Sequence, residues 1–285
     1  MRIGLSTYSL SQAIQSGAMT PLDTLRWIAE RGGAHAEIVP IGFDMTDDLA
    51  DQFREQAATG PIEISNYLIG ADFTKNSKME YQREVERVLR QVDVAKRLGV
   101  SLMRHDVAWR KPADASIQQF ENDLPQLVTA CQTIADYASP LGIITTVENH
   151  GYFVQHSDRV LRLVQAVNRP NFRLTVDVGN FLCADEDPVA AVQKCLPYAS
   201  MIHLKDFYVR YDGFNPGHGW FPTAGGHFLR GAMLGHGDLR LRAIAAAIKD
   251  AGYDGFVSVE FEGLEDCRLG SEEGLNHARA LFEQA

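Results

Sequence analysis

The feature that most constrains the fold is an alternation of short apolar runs with longer segments of helical periodicity, repeated eight times along the chain. The runs are rich in β-branched residues, as buried strands are. They are RIGLST, HAEIVPI, IEISNYL, SLMRHDV, GIITTVEN, RLTVDVGN, SMIHLKD and GFVSVEFEG. Because no Ser-, Pro- or Gly-rich linker separates these units, the pattern predicts an α/β fold with a single closed (β/α)8 barrel over residues 1–285.

An open, doubly wound sheet is the alternative that the same alternation allows. Such sheets usually bind nucleotides through a glycine-rich turn after the first strand, but here that strand leads into STYSLSQ, without GxGxxG or a P-loop. The closed barrel is therefore preferred. A long loop rich in glycine and aromatic residues follows the seventh strand, at about residues 206–237. We expect it to be a lid or a contact in a homo-oligomer.

The charge of the chain restricts its partners. Among its 285 residues, 37 are acidic and 27 basic, and the formal net charge of -10 would repel the phosphate backbone of a nucleic acid. The start of the sequence, MRIGLSTYSLSQ, lacks the features of a signal peptide, and no apolar run approaches membrane-spanning length. The four cysteines are widely spaced, without CxxC, which favours reduced thiols. We expect a cytoplasmic protein that acts on a small molecule and binds neither nucleic acid nor membranes.

Each of the last four predicted strands carries an ionisable side chain near its C-terminal end. These are Glu148 in TTVENHG, Asp177 in LTVDVGN, His203 in IHLKDF and Glu260 in VSVEFEG. The C-terminal ends of barrel strands form the active site, and side-chain alternation places these groups opposite the apolar residues that face the helices. Three carboxylates and one imidazole are therefore predicted to converge, with Glu262 as an alternative to Glu260 because it shares the same face.

This convergence predicts a bound cation. Three carboxylates in a small volume repel one another unless a cation or protons compensate their charge. Three oxygen donors and one nitrogen donor suit a fairly hard ion with six ligands, two of which would be water or substrate. The prediction is one divalent metal ion, with Mn²⁺ preferred and Mg²⁺, Co²⁺ and Zn²⁺ as alternatives.

Five further residues are candidates for binding the substrate. Lys205 is predicted to face inward from the seventh strand, where its ammonium group can hold a substrate oxygen. His105 lies in the fourth predicted strand, and His150 and Asn180 flank the candidate ligands. Arg210 can meet a charged group on the substrate. For each of them the alternative is a structural role, such as an internal hydrogen bond or a surface ion pair.

At these residues the sequence resembles the xylose isomerase-like TIM barrels. That superfamily includes sugar-phosphate isomerases and epimerases, ketose 3-epimerases, hydroxypyruvate isomerases, inosose dehydratases and endonuclease IV. The motifs that carry the resemblance are VENHG, DVGN, HLKD and SVEFEG, with IGLSTYSL at the start and GHGDLRLRAIAAAIKDAGYDGF before the last strand. The resemblance implies that Glu148, Asp177, His203 and Glu260 bind the metal and that Glu148 and Glu260 are also the acid/base pair.

One difference from two members of the superfamily is informative. Endonuclease IV and the ketose 3-epimerases have a His three residues after the Asp of the sixth strand, and this chain has Asn180 there. A site with three zinc ions would lose a ligand at this position. Together with the acidic charge, this argues against DNA repair, and it also separates the chain from the ketose 3-epimerases.

The predicted site implies a metal-dependent isomerase or epimerase that acts on a sugar or related polyol ketone through a cis-enediolate. Loss of a β-hydroxyl would instead give a lyase or dehydratase, acting on inosose- or dehydroshikimate-like substrates or on oxidised glycosides. A sugar-binding barrel without turnover is the alternative from another class. All four candidate ligands are present, which argues against that alternative.

Overall fold

The computed structural model describes residues 1–284 and contains a closed barrel of eight parallel strands. The described residues form eleven strands in all: β1 (Arg2–Ser6), β2 (His35–Ile38), β3 (Glu63–Ile69), β4 (Leu102–His105), β5 (Ile144–Glu148), β6 (Phe172–Asp177), β7 (Ala199–Leu204), β8 (Asp206–Arg210), β9 (Phe221–Pro222), β10 (Phe228–Ala232) and β11 (Phe256–Val259). The order around the barrel is β1-β11-β7-β6-β5-β4-β3-β2, whereas β8, β9 and β10 form a separate sheet. Each barrel strand overlaps one of the eight predicted runs, and the (β/α)8 barrel is confirmed.

Nine α-helices are found in the described residues. They are α1 (Ser11–Gln15), α2 (Asp23–Glu30), α3 (Asp47–Thr59), α4 (Lys78–Leu98), α5 (Ile117–Ala138), α6 (Ser157–Val167), α7 (Pro188–Cys195), α8 (Leu241–Asp250) and α9 (Cys267–Gln284). Apolar side chains such as Phe53, Val88 and Ile134 are fully buried in the layer between the helices and the barrel. Within residues 1–284, no helix is both long enough and apolar enough to cross a membrane. All four cysteines are buried and free, as predicted.

The barrel interior is filled by side chains below the mouth. The Thr146 and Thr175 hydroxyls lie 2.8 Å apart, so both face inward as side-chain alternation predicts. Deeper in the barrel, the His35 ring lies 2.8 Å from the Ser65 hydroxyl. Gly4 makes room for this ring, since a Cβ at Gly4 would lie 2.6 Å from Cδ2 of the His35 ring. The barrel interior below the mouth is therefore a packed core.

The segment after β7 contains a three-stranded antiparallel sheet in the order β8-β10-β9. Its buried side chains, including Phe207 and Leu229, pack with Cys183 in a small separate apolar cluster. Two hydrogen bonds connect it to the loops after β5 and β6: the Tyr152 hydroxyl donates to the Pro222 carbonyl at 2.8 Å, and the Ala224 N–H donates to the Cys183 carbonyl at 2.8 Å. The sheet is therefore attached to one side of the barrel mouth.

Candidate metal centre

Strand register brings the four candidate ligands to the same height in the barrel. Asp177 of β6 lies opposite His203 of β7. Glu148 ends β5 opposite Thr175, which lies two residues before Asp177. The Glu260 N–H donates to the Leu204 carbonyl at 3.0 Å, which extends the pairing of β11 with β7. One ligand atom from each of Glu148, Asp177, His203 and Glu260 lies within 4.8 Å of the others, and all four residues are buried.

Three atoms at the centre of this cluster lack hydrogen-bond partners. They are Glu148 Oε2, Asp177 Oδ2 and His203 Nδ1, each buried from solvent. A buried polar atom without a partner is unfavourable, because it has lost its bonds to water. The donor set of carboxylate oxygens and an imidazole nitrogen fits a divalent cation, whose coordination would satisfy these atoms. The residues present therefore fit the predicted metal ion.

Backbone groups orient Asp177. Its Oδ1 accepts hydrogen bonds from the N–H groups of Gly179 at 2.8 Å and Asn180 at 2.9 Å, which leaves Oδ2 free to face the centre. The Asn149 side chain donates to the Asp177 carbonyl and accepts from the Asp177 N–H, both at 2.9 Å. These bonds continue the contact between β5 and β6 beyond the strand ends, so the position of Asp177 relative to Glu148 is fixed.

Lys205 places a positive charge among three carboxylates. Its Nζ lies 2.8 Å from Glu260, 3.3 Å from Asp177 and 3.3 Å from Glu262. Burial alone would lower the pKa of Lys205, but the carboxylates outweigh that effect and raise it well above its usual value. Burial also tends to raise the pKa of Glu260, and Lys205 more than offsets this, so that the pKa of Glu260 is lowered. Both groups are therefore charged.

Glu148 is held from two sides. The Asn180 side-chain amide donates to its Oε1 at 2.9 Å. Nη2 of Arg104 lies 2.9 Å from its Oε2, close enough for an ion pair although outside hydrogen-bond geometry. The same guanidinium group lies 3.1 Å from Asp106 and donates to the Ile69 carbonyl at 3.1 Å. Burial works against the charge of Arg104, but Asp106 and Glu148 raise its pKa.

The ring of His203 is oriented by Glu37, a carboxylate inside β2. Nε2 of His203 lies 3.0 and 3.1 Å from the two oxygens of Glu37, and Asn66 donates to Glu37 at 2.9 Å. Nδ1 consequently faces the centre, 3.8 Å from both Glu148 and Glu260. Burial alone would lower the pKa of His203, but Glu37 and Glu260 raise it to about 10. A carboxylate on the far nitrogen is the usual support for a metal-binding histidine.

A cavity of about 600 Å³ adjoins the centre. Its inner end is lined by Glu148, Glu260, Arg104 and Lys205, and its outer end lies between residues 39–45 and helix α4. His150 also lines it, with a side chain that is 45% exposed and Nδ1 3.3 Å from Asp106. Partial removal of the His150 ring from water tends to lower its pKa. The nearby Asp106 carboxylate outweighs this effect and raises the pKa of His150 to about 9.

The five residues predicted to bind substrate fall into three groups. His150 and Lys205 line the cavity. Asn180 is buried and holds Glu148 instead. His105 and Arg210 lie elsewhere in the structure.

From β4, Arg104 rather than His105 lines the cavity. His105 is fully buried against Phe73 and Phe172, with Nδ1 2.9 Å from the Asp106 carbonyl oxygen. Arg210 is exposed on β8, where its guanidinium group lies 5.0 Å from the centre of the Trp220 ring.

Three residues that contact the candidate ligands or each other at the site, Glu37, Arg104 and Asp106, were not predicted from the sequence. Glu37 and Arg104 interrupt the apolar runs HAEIVPI and SLMRHDV in the same way that Asp177 interrupts RLTVDVGN. That signal could have identified both. Asp106 follows β4 directly and could have been found only once Arg104 was known to face inward.

The small sheet does not cover the cavity. Among the described residues that line it, none belongs to residues 206–237. The sheet stands beside the opening, above the loops after β5 and β6. The expectation that this segment closes over the site is therefore not supported.

Residues 25–284 match the family of xylose isomerase-like TIM barrels. The chain belongs to this family. A curated relative, inosose dehydratase from Lacticaseibacillus casei, is 26% identical over 149 residues, which are 50% of this chain and 48% of the relative. This chain therefore matches only about half the length of that relative.

Solved structures share the fold at low identity. The IOLI protein with a bound zinc atom superposes with a TM-score of 0.76 and 18% identity, over 100% of this chain and 97% of that one. D-psicose 3-epimerase, solved in the presence of D-fructose, superposes with a TM-score of 0.74 and 15% identity, over 99% of both chains. At this identity the two similarities establish the barrel fold alone.

Proposed function

We propose that the protein is a divalent-metal-dependent isomerase or epimerase that acts on a sugar or a related polyol ketone. The observation that carries this proposal is the pairing of two carboxylates with two cations. Glu148 and Glu260 lie 3.8 Å from the same nitrogen of His203, and each has its own cation, Arg104 or Lys205. Such a pair can remove a proton from one carbon and return a proton to the same carbon or to its neighbour.

The candidate ligands Glu148, Asp177, His203 and Glu260 would hold the ion, for which we propose Mn²⁺. When bound, a divalent ion polarises a carbonyl group and stabilises the negative charge that follows loss of an adjacent proton. Arg104 and Lys205 each place a positive charge 2.8 to 2.9 Å from one of the two acid/base carboxylates. The Lys205 ammonium group, 2.8 Å from Glu260, can also donate to a substrate oxygen on that side.

Dehydration is the second candidate, and the pair His150 and Asp106 favours it. The imidazole is exposed in the cavity, 3.3 Å from the Asp106 carboxylate, and can protonate a departing hydroxyl group. The similarity to inosose dehydratase also supports this candidate. A lyase would use one carboxylate as the base and His150 as the acid.

A single incubation distinguishes the candidates. Mn²⁺-loaded protein is incubated in D₂O with a panel of ketoses and with a keto-inositol, and the products are analysed by mass spectrometry. An isomerase or epimerase adds deuterium to carbon without loss of water, whereas a dehydratase produces a product that is lighter by one water.

Glu148→Gln and Glu260→Gln should abolish both reactions, and His150→Gln should abolish dehydration alone. Glu63→Gln, on the surface at the start of β3, is the matched control. Sugar binding without either reaction would show a non-catalytic barrel.

A further inference from the structure

The cavity is larger than one sugar ring requires. A six-carbon ring with its hydroxyl groups, packed at the density of a protein interior, fills on the order of 200 Å³. The cavity has a volume of about 600 Å³. If a ring lies against Glu148 and Glu260 at the inner end, most of the outer end remains for another part of the substrate.

One wall of that outer end is apolar. It consists of Val39, Pro40, Ile41, Phe43 and Met45, which follow β2, and Asp44 is the one charged residue among them. All of these except Val39 are partly exposed. The Phe43 ring packs against Phe53 of α3, with the ring centres 6.3 Å apart. This contact anchors the wall to the main core.

The cationic side chains that line the cavity are already paired. Arg87 donates two hydrogen bonds to Glu84, both at 2.9 Å. Arg104 is paired with Asp106 and Glu148, Lys205 with three carboxylates, and His150 with Asp106. A phosphate or carboxylate on the substrate would have to compete with these partners. The lining therefore favours an uncharged substrate.

We infer that the substrate is an uncharged polyol ketone that carries an apolar ring as a substituent. The polyol part lies at the candidate metal centre, and the apolar ring lies along residues 39–45. This inference rests on the proposed function, since it assumes that the reacting ketone binds at the inner end of the cavity.

Calorimetry with non-reacting probes tests the inference. Phenyl β-glucoside should bind about tenfold more tightly than methyl β-glucoside, because the phenyl ring buries additional apolar surface. Glucose 6-phosphate should bind no more tightly than glucose. Phe43→Ala and, separately, Met45→Gln should each reduce the preference for the phenyl compound. Phe214→Ala, a change at an exposed position in the connection between β8 and β9, should leave it intact.

Separate measurements keep the two proposals distinguishable. Mn²⁺ affinity is measured for every variant, and the two glucosides are compared with and without Mn²⁺. Failure of the parent protein to bind Mn²⁺ would overturn the proposed function. Equal affinity for the two glucosides, or a preference unchanged by both Phe43→Ala and Met45→Gln, would overturn the present inference. Tighter binding of glucose 6-phosphate than of glucose would overturn the inference that the substrate is uncharged.

Discussion

Among single residues, Glu37 has the most direct influence on the candidate centre without belonging to it. Its carboxylate lies 3.0 and 3.1 Å from Nε2 of His203 and is itself held by Asn66. The carboxylate fixes the ring orientation and makes the other nitrogen a better donor.

Glu37→Gln should therefore weaken Mn²⁺ binding by about ten- to a hundredfold, the range found when such supporting carboxylates are removed. Calorimetric titration with Mn²⁺ measures the effect, and circular dichroism checks the fold. Glu63→Gln removes a carboxylate at the exposed start of β3 and is the matched control. An unchanged dissociation constant for Glu37→Gln would show that packing alone orients His203.

Arg104 compensates two carboxylates, Glu148 and Asp106. Arg104→Met should lower the free energy of unfolding of the metal-free protein by about 3 to 5 kcal/mol, because it leaves buried charges unpaired. Chemical denaturation measures this difference. Arg97→Met breaks an ion pair on the surface and should change stability little. Equal effects of the two substitutions would contradict a special role for the buried pair.

The two faces of β4 show the limit of sequence inference for single residues. In β5 and β6, Val alternates with Thr and a carboxylate, so the polar face is evident from the sequence. In β4, which is only Leu102–His105, two apolar residues precede two polar ones, and alternation alone does not identify the inward face. Arg104 faces inward, where its guanidinium group pairs with Asp106, two residues along the chain, and with Glu148 of β5. The contact with Glu148 depends on strand pairing, which the sequence of β4 alone does not reveal.

At the scale of elements, Asp206 holds together the first and last chain segments of the small sheet. Its two oxygens accept hydrogen bonds from the N–H groups of Phe207, Gly235, Gly237 and Leu239, at 2.9 to 3.3 Å. One side chain thus ties the start of β8 to the loop that follows β10.

Asp206→Asn should loosen this sheet selectively, because an amide replaces one of the two acceptor oxygens with a donor that faces other donors. Amide hydrogen exchange measured by mass spectrometry should become faster in peptides from residues 206–239, whereas the barrel strands remain protected. Asp212→Asn removes a carboxylate from the exposed connection between β8 and β9, where it accepts only from the Phe214 N–H, and is the control. Uniform acceleration over the whole chain would instead indicate global destabilisation.

Sequence predicted the barrel strands well and this sheet poorly, for a physical reason. Barrel strands have local signatures, since each is an apolar run beside an amphipathic helix. The pairing of β8 with β10 joins Arg210 to Phe228 across a long connection, without the short turn that marks a tight hairpin. Glycine and aromatic content indicated an ordered segment, but its partner strand and its position beside the mouth depend on contacts distant in sequence.

For the whole molecule, a bound metal ion should add to the stability of the fold. Binding to the folded state alone, at a concentration one hundred times the dissociation constant, contributes about 2.7 kcal/mol, which corresponds to a rise of about 5 °C in the unfolding midpoint for a chain of this size. Differential scanning calorimetry with Mn²⁺ and after chelation measures the rise. Asp177→Asn should greatly reduce it. A rise of equal size in that variant would place the ion elsewhere.

Two fully buried histidines away from the candidate centre should make stability depend on pH. Burial lowers the pKa of His35 and of His105 to about 4, against 6.5 in an unfolded chain. Above pH 6.5 both are neutral whether the chain is folded or unfolded. As the pH falls from 6.5 towards 4, the unfolded chain takes up protons that the folded chain does not, so each histidine removes up to about 3 kcal/mol of stability.

The slope of stability against pH tests this account. His105→Phe keeps a ring between Phe73 and Phe172 but removes the titrating group. Between pH 5 and 6, the slope of its unfolding free energy against pH should therefore be smaller than that of the parent protein. The difference should correspond to about one proton fewer taken up on unfolding. Denaturant titrations at several pH values measure the slopes. Parallel curves would show that His105 takes up its proton equally in both states.

The pairing of β1 with β11 has a consequence for how the protein is made. It joins Arg2 to Phe256, so the ring of strands cannot close during synthesis until nearly all of the chain has left the ribosome. Glu260 emerges just after that point, which makes it the last of the four candidate ligands to become available. A nascent chain therefore exposes an open sheet edge for most of its translation, and chaperones that shield such edges should matter more to its yield than the supply of metal ions.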